Sequence, residues 1–199
     1  MFDAQLRDPL DRFVNPIAGW IARRGVTANQ VSICGFGFGM LAVGAVVIDA
    51  MLGAAILLLV NRFCDGLDGA IARRHGPTDF GGYLDIVLDF IFYSAVPFGF
   101  ALHNPDNALA AAFLIFSFIG TGVSFLGYAI LAEKRGISTD IRGKKSFYYL
   151  GGLTEGAETI ILLLLMCVFP DWFTVLAWAF GAMCWITTAT RIHAAAQIE

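Results

Sequence analysis

Four aspartates set the chemical possibilities of this sequence. Asp65 and Asp68 stand three residues apart and Asp85 and Asp89 four apart, each pair inside an otherwise apolar stretch. Both spacings put paired carboxylates on one face of a helix. Four carboxylates gathered in one low-dielectric pocket repel one another, and Arg62 and Arg73 offset two charges at most. Hard divalent cations with oxygen ligands resolve the conflict, and Mg²⁺ typically combines a few carboxylates with substrate phosphates. Two ions clamping a phosphate group is a recurring arrangement in phosphoryl chemistry. A salt-bridge network tying two helices together is the alternative, but two arginines cannot satisfy four aspartates.

Glycines frame the same stretch: Gly66, Gly69, Gly81 and Gly82 surround the carboxylates. Glycine within a helix loses about 1 kcal/mol relative to alanine, so their placement calls for a reason. Tight helix packing would explain any one of them. Glycine alternating with aspartate on one face favours a bulky ligand that reaches the helix backbone.

The elements that must position these groups follow from composition. Of the 199 residues 58% are hydrophobic and 15% charged, with a mean hydropathy of +0.72; ordinary soluble domains carry about 25% charge. The solvent is a lipid bilayer, and no nucleic-acid partner is expected. The net charge of −3 says little, because the placement of charge governs a membrane protein. Six stretches are long enough to span a bilayer, at about 28–49, 51–73, 80–103, 107–133, 148–169 and 172–193, each near the ~20 residues a span requires. The predicted fold is an all-α integral membrane domain of six transmembrane helices over 25–199. A helix over 1–24 precedes it, with Phe2, Leu6, Leu10, Phe13, Val14, Ile17 and Ile21 at helical spacing; such a stripe suits the membrane interface. Residues 1–11 lack the apolar core of a cleavable signal peptide.

Charge placement gives the orientation. Arg23, Arg24, Arg73, Arg74, Lys134, Arg135, Arg142, Lys144, Lys145 and Arg191 flank alternate connections, while those around Asp49, Asn104 and Asp171 carry no lysine or arginine. The positive-inside rule then places both termini and the aspartates near the cytoplasmic face. Asp65, Asp68, Asp85 and Asp89 come from spans joined by a short turn, so the two helices are expected to be antiparallel neighbours with their carboxylates at similar depth. Cys34, Cys64, Cys167 and Cys184 all lie in apolar runs without CxxC or histidine spacing, which excludes a zinc-type cluster and predicts free thiols. Gly35-x-x-x-Gly39 lets helices approach closely, either within the chain or in a homodimer. His75, His103 and His193 sit at span ends and are given no catalytic role.

Asp65-x-x-Asp68-Gly69-x-x-Ala72-Arg73 followed by Gly81-x-x-x-Asp85-x-x-x-Asp89 resembles the signature of the CDP-alcohol phosphotransferases. Thr27-Ala28-Asn29 is similar to the Thr-Pro-Asn that commonly opens that family's first span, with alanine for proline. The stretch from Arg73 to Gly81 is one residue shorter than in the usual pattern, in the turn between helices. The resemblance implies that Asp65, Asp68 and Asp85 ligate Mg²⁺ or Mn²⁺, two ions in all, with Asp89 ligating the second ion or sitting beside it. Asp89 is the family position assigned as general base. Gly66, Gly69, Ala72, Arg73, Gly81 and Asn29 would accommodate the cytidine nucleotide, Arg73 contacting its phosphates. The implied reaction is attack of an acceptor hydroxyl on the phosphorus bearing the alcohol, with CMP leaving. It also implies a bacterial inner-membrane location, phospholipid biosynthesis, and CDP-diacylglycerol as donor.

The acceptor is less constrained. Arg142 and Lys144, in the polar loop after span four, suit a phosphorylated acceptor, though basic loop residues also touch anionic headgroups. Glu155 and Glu158, three apart in span five, suit polyol hydroxyls or an amine, or form a satisfied buried pair. Two other functions stay open. A transporter also carries carboxylates within its spans, although no related halves are visible, and a family member without activity would serve as a binding partner.

Overall fold

The computed structural model describes residues 3–136 and 152–197, and these contain helices, turns and no strand. Helices satisfy their backbone hydrogen bonds internally, as a chain in lipid requires. Helix α1 spans Asp3–Ala22, α2 Ala28–Val47, α3 Met51–His75, α4 Asp79–His103, α5 Ala108–Lys134, α6 Gly156–Val168 and α7 Phe173–Ala196. Single 3₁₀ turns, Pro105–Asn107 and Pro170–Trp172, lead into α5 and α7. Local chemistry sets the boundaries nearest the aspartates. Thr27 and Gln30 form a reciprocal capping box at the start of α2, with distances of 3.0 and 3.3 Å. Thr78 caps α4, its Oγ1 accepting from the Gly81 N–H at 3.0 Å. Arg73, Arg74 and His75 close α3, the end at which the helix dipole favours positive charge. Gly76 then reverses the chain at φ +94°, a conformation that suits a residue without Cβ.

Four of the six expected spans are helices long and apolar enough to cross a membrane: Ala28–Val47, Asp79–His103, Pro105–Lys134 and Pro170–Ala196. The other two fall short for different reasons. Helix α3 has the length, but its second half carries Arg62, Asp65, Asp68, Arg73 and Arg74. Helix α6 has 13 residues, about 20 Å of rise against a hydrocarbon core of about 30 Å. The expected fifth span began at 148; residues 148–151 lie outside the described ones, and 152–155 are not helical.

Helix α2 packs extensively on both α3 and α4, which pack far less on each other. The short turn does make α3 and α4 successive and antiparallel, but α2 backs them both and leaves a cleft between their faces. Behind it lies an apolar core that includes Leu58, Phe92, Phe100, Leu114, Leu163 and Phe173, with the Phe100 and Phe173 rings stacked at 4.6 Å. A second cluster joins Val14 and Ala18 of α1 to Leu67, Ala70 and Ile71 of α3. There Arg74 Nη2 donates to the Asn15 carbonyl at 2.8 Å. Phe13, Ile17 and Trp20 of α1 remain exposed, as do Leu41, Leu52, Leu109 and Val123 on the bundle. So much outward apolar surface suits lipid rather than water.

The Gly35-x-x-x-Gly39 spacing serves packing within the chain. A Cβ on Gly35 would lie 2.7 Å from Cys64 Cβ, and one on Gly39 2.7 Å from the Phe92 ring. Both glycines face inward, so the motif gives no support to a homodimer through that face. Gly37, between them, has open space around it. Gly35→Ala is therefore expected to destabilise the bundle by about 1–3 kcal/mol, because Cys64 Cβ is fixed to the α3 backbone and cannot swing away. Gly37→Ala should not lower stability. Thermal unfolding in detergent compares the two, and equal melting temperatures would contradict the close approach.

Candidate active site

The cleft left by α3 and α4 is where the aspartates meet. Its lining includes Asp65 and Asp68 from α3, Asp85 and Asp89 from α4, and Ser32 from α2. Ligand oxygens of Asp65, Asp85 and Asp89 all lie within 4.8 Å of one another. Oxygens on opposite sides of an octahedral Mg²⁺ are about 4.2 Å apart, so small side-chain rotations would close this trio around an ion. The donor set is all carboxylate oxygen and open at one side, which fits a hard cation that keeps sites for phosphate. Asp68 lines the same cleft but falls outside that trio. Its Oδ2 accepts from Ser32 Oγ at 2.6 Å, and its residue is 7% exposed.

A polar network ties the two acidic helices together. Arg62 Nη2 donates to Asp89 Oδ1 at 2.8 Å, and its Nη1 lies 3.6 Å from Asp65 Oδ1. Tyr93 donates its hydroxyl proton to Asp89 Oδ2 at 3.0 Å and accepts from Arg62 Nη1 at 3.2 Å. Arg62 Nε donates to Asn61 Oδ1 at 2.7 Å, and Asn61 Nδ2 donates to the Gly35 carbonyl at 2.8 Å. The guanidinium also lies over the Phe92 ring at 5.0 Å. Arg62 was expected as a charge offset or as a partner of Glu155 and Glu158, and Tyr93, Asn61 and Ser32 were passed over. Helical spacing carried a signal for Tyr93, which stands four residues after Asp89 on the same face.

None of the expected nucleotide-side residues is among those lining the cleft, but two of them lie close together. Asn29 Oδ1 would lie 3.1 Å from a Cβ on Gly81, so the starts of α2 and α4 meet there. Ala72 follows Asp68 by four residues and shares its face. A Cβ on Gly66 would have Val14 Cγ2 at 4.0 Å as its nearest neighbour, and one on Gly69 would have Arg73 Nη1 at 3.4 Å. Protein packing thus does not require glycine at either position.

Among the described residues, none of the expected acceptor residues reaches the aspartate cleft. Arg142 and Lys144 lie outside the described residues. Glu155 precedes α6 instead of sharing a helical face with Glu158. Its Oε1 accepts from the Gly152 N–H at 3.1 Å, and Glu158 Oε2 accepts from the Glu155 N–H at 3.2 Å. The pair caps α6, and neither residue lines the aspartate cleft. The four cysteines are free thiols as expected.

The profile of the CDP-alcohol phosphatidyltransferase family matches residues 25–192. The chain belongs to this family. It is a transferase of that type, and the match decides against the transporter alternative. Inner membrane protein YnjF of Escherichia coli K12 is 49% identical to this transferase over 193 residues, 96% of this chain and 94% of that protein. With its apolar helices, that likeness makes it an integral membrane protein. A crystal structure of Mycobacterium tuberculosis phosphatidylinositol phosphate synthase with CDP-DAG bound superposes with a TM-score of 0.68 at 25% identity, covering 92% of this chain and 94% of that one. The same synthase in complex with manganese and citrate gives a TM-score of 0.68 at 27% identity, covering 92% and 88%.

Proposed function

We propose that this transferase moves the phosphatidyl group of CDP-diacylglycerol, or a similar lipid CDP-alcohol, to the hydroxyl of a polyol phosphate and releases CMP. The convergence of Asp65, Asp85 and Asp89 oxygens within 4.8 Å carries this reading. With Asp68 beside them, these residues would hold two ions, Mg²⁺ or Mn²⁺; the manganese complex of the related synthase supports a metal there. Such ions, when bound, neutralise the pyrophosphate and stabilise charge on the attacking and leaving oxygens. Asp89 takes the acceptor's proton as its oxygen attacks the phosphorus bearing the alcohol, and the bond from that phosphorus to CMP breaks. Arg73 meets the nucleotide phosphates, and Asn29, Gly66, Gly69, Ala72 and Gly81 leave room for the cytidine. The phosphorylated acceptor rests on the phosphatidylinositol phosphate synthases among the relatives and on Arg142 and Lys144 as its anchors. Glu155 and Glu158 would act on it only through the start of α6.

In the membrane, α3 and α6 would complete a six-helix domain over 25–199, with α1 lying in the interface over 1–24. Both termini and the cleft would face the cytoplasm of a bacterial inner membrane. The experiment is CMP release from CDP-diacylglycerol in liposomes with Mg²⁺ or Mn²⁺, across glycerol 3-phosphate, inositol phosphate and inositol. Release with a polyol phosphate, stopped by excess EDTA, is expected. Full activity in EDTA would overturn the metal site, and release with unphosphorylated inositol alone would overturn the acceptor class.

A further inference from the structure

Both carboxylate oxygens of Asp89 have a protein donor: Arg62 on Oδ1 at 2.8 Å and Tyr93 on Oδ2 at 3.0 Å. The two donors also touch each other at 3.2 Å, so the three side chains close a ring between α3 and α4. The ring is anchored at depth. Arg62 Nε is held by Asn61, and Asn61 by the Gly35 carbonyl, where α2 passes close to α3. The Tyr93 ring is buried against Phe92 and Phe118, with centroids 5.7 and 6.4 Å away. A carboxylate has about four lone-pair sites. One donor on each oxygen occupies two of them, restrains the rotation of the group and leaves two for a ligand in the cleft that Asp89 lines. Arg62 meanwhile sits 3.6 Å from Asp65, so its single positive charge also holds Asp65 and Asp89 together across the cleft.

We propose that Arg62 and Tyr93 are positioning residues for the reaction assigned above: they orient the Asp89 carboxylate, and Arg62 is a built-in counter-cation that moderates how tightly the carboxylates take a divalent ion. The second half makes an unusual demand on metal affinity. A residue that merely supports the fold weakens metal binding when it is replaced. A competing cation strengthens binding when its charge is removed. One unit charge within a side chain's reach of a divalent ion changes affinity by about tenfold even at near-aqueous screening. Losing the alignment of a metal-site carboxylate costs about 10–100-fold in activity.

Manganese titration by electron paramagnetic resonance on the full chain in detergent, paired with CMP release, tests both halves. Arg62→Gln should bind Mn²⁺ about tenfold more tightly and turn over about 100-fold more slowly. Arg62→Lys, which keeps the charge without the forked contact, should bind Mn²⁺ as the natural chain does and recover some of the turnover. Tyr93→Phe keeps the ring packing and should leave Mn²⁺ affinity and the donor KM within about twofold, while kcat falls about tenfold. Weaker or unchanged Mn²⁺ binding in Arg62→Gln with Arg62→Lys monodisperse would overturn the counter-cation role. Unchanged kcat in Tyr93→Phe would overturn the positioning role. Because the inference rests on the proposed function, the two failures must separate, and they do. The titration needs no turnover, so an inactive natural chain whose Mn²⁺ affinity still rises in Arg62→Gln would overturn the proposed reaction alone.

Discussion

Asp89→Asn should lower CMP release by about 10²–10⁴-fold, the range expected for loss of a general base, while affinity for metal and for the CDP-alcohol falls by less, about tenfold for the one charge removed. The substitution preserves shape and removes both the charge and one acceptor oxygen. Asn offers one carbonyl oxygen where Arg62 and Tyr93 now each find a carboxylate oxygen, at 2.8 and 3.0 Å, so one donor loses its partner. Asp65 and Asp85 remain to hold an ion, with Asp68 held by Ser32. Nucleotide binding measured by calorimetry with CDP and Mn²⁺, beside steady-state turnover, separates the contributions. If affinity and rate fall by the same factor, Asp89 is a metal ligand only and the proton goes elsewhere.

Gly66→Ala and Gly69→Ala should move stability and activity in opposite directions. Each adds a methyl to a helix at a point where the nearest protein atoms are 4.0 and 3.4 Å away, which is ordinary contact, so the fold accepts it. Helix propensity then favours alanine by about 1 kcal/mol, visible as a higher melting temperature. The methyl instead intrudes on the space assigned to the nucleotide, and a displacement of this order costs about 100-fold in rate. The expected signature is a raised KM for CDP-diacylglycerol with lower kcat/KM in a chain at least as stable as the natural one. Unaltered KM in both variants would place the nucleotide elsewhere.

The acidic centre was legible because its spacing carries its geometry: three and four residues within a helix leave little choice of face. The breaks around Asn104 and Asp171 were legible for a similar reason, since proline acts locally; the threonine caps at Thr27 and Thr78 were not read from the sequence. What surrounds the aspartates was harder to read. Ser32 reaches Asp68 across 36 residues of chain and Arg62 reaches Asp89 across 27, and no local pattern reports which distant helix supplies a partner. The short turn suggested that α3 and α4 pack on each other, whereas α2 takes both of them. Gly35 and Gly39 had the spacing of a contact face, but only packing shows that the face is internal. Glu155 looked helical by spacing, and the backbone starts its helix one residue later. Capping by a buried glutamate is decided by the surroundings of α6, not by the local pattern.

Every carboxylate assigned to the reaction lies between Asp65 and Asp89, on two successive helices. A chemistry written into one uninterrupted stretch of chain is inherited as a cassette. Recombination at its borders moves it whole, and drift in α5, α6 or α7 cannot separate the ligands from each other. Such a lineage can trade its recipient molecule by altering distant helices while its donor chemistry stays constant. For an engineer the same property makes a chimaera, with this hairpin seated in a relative's bundle, a practical way to ask which helices choose the recipient.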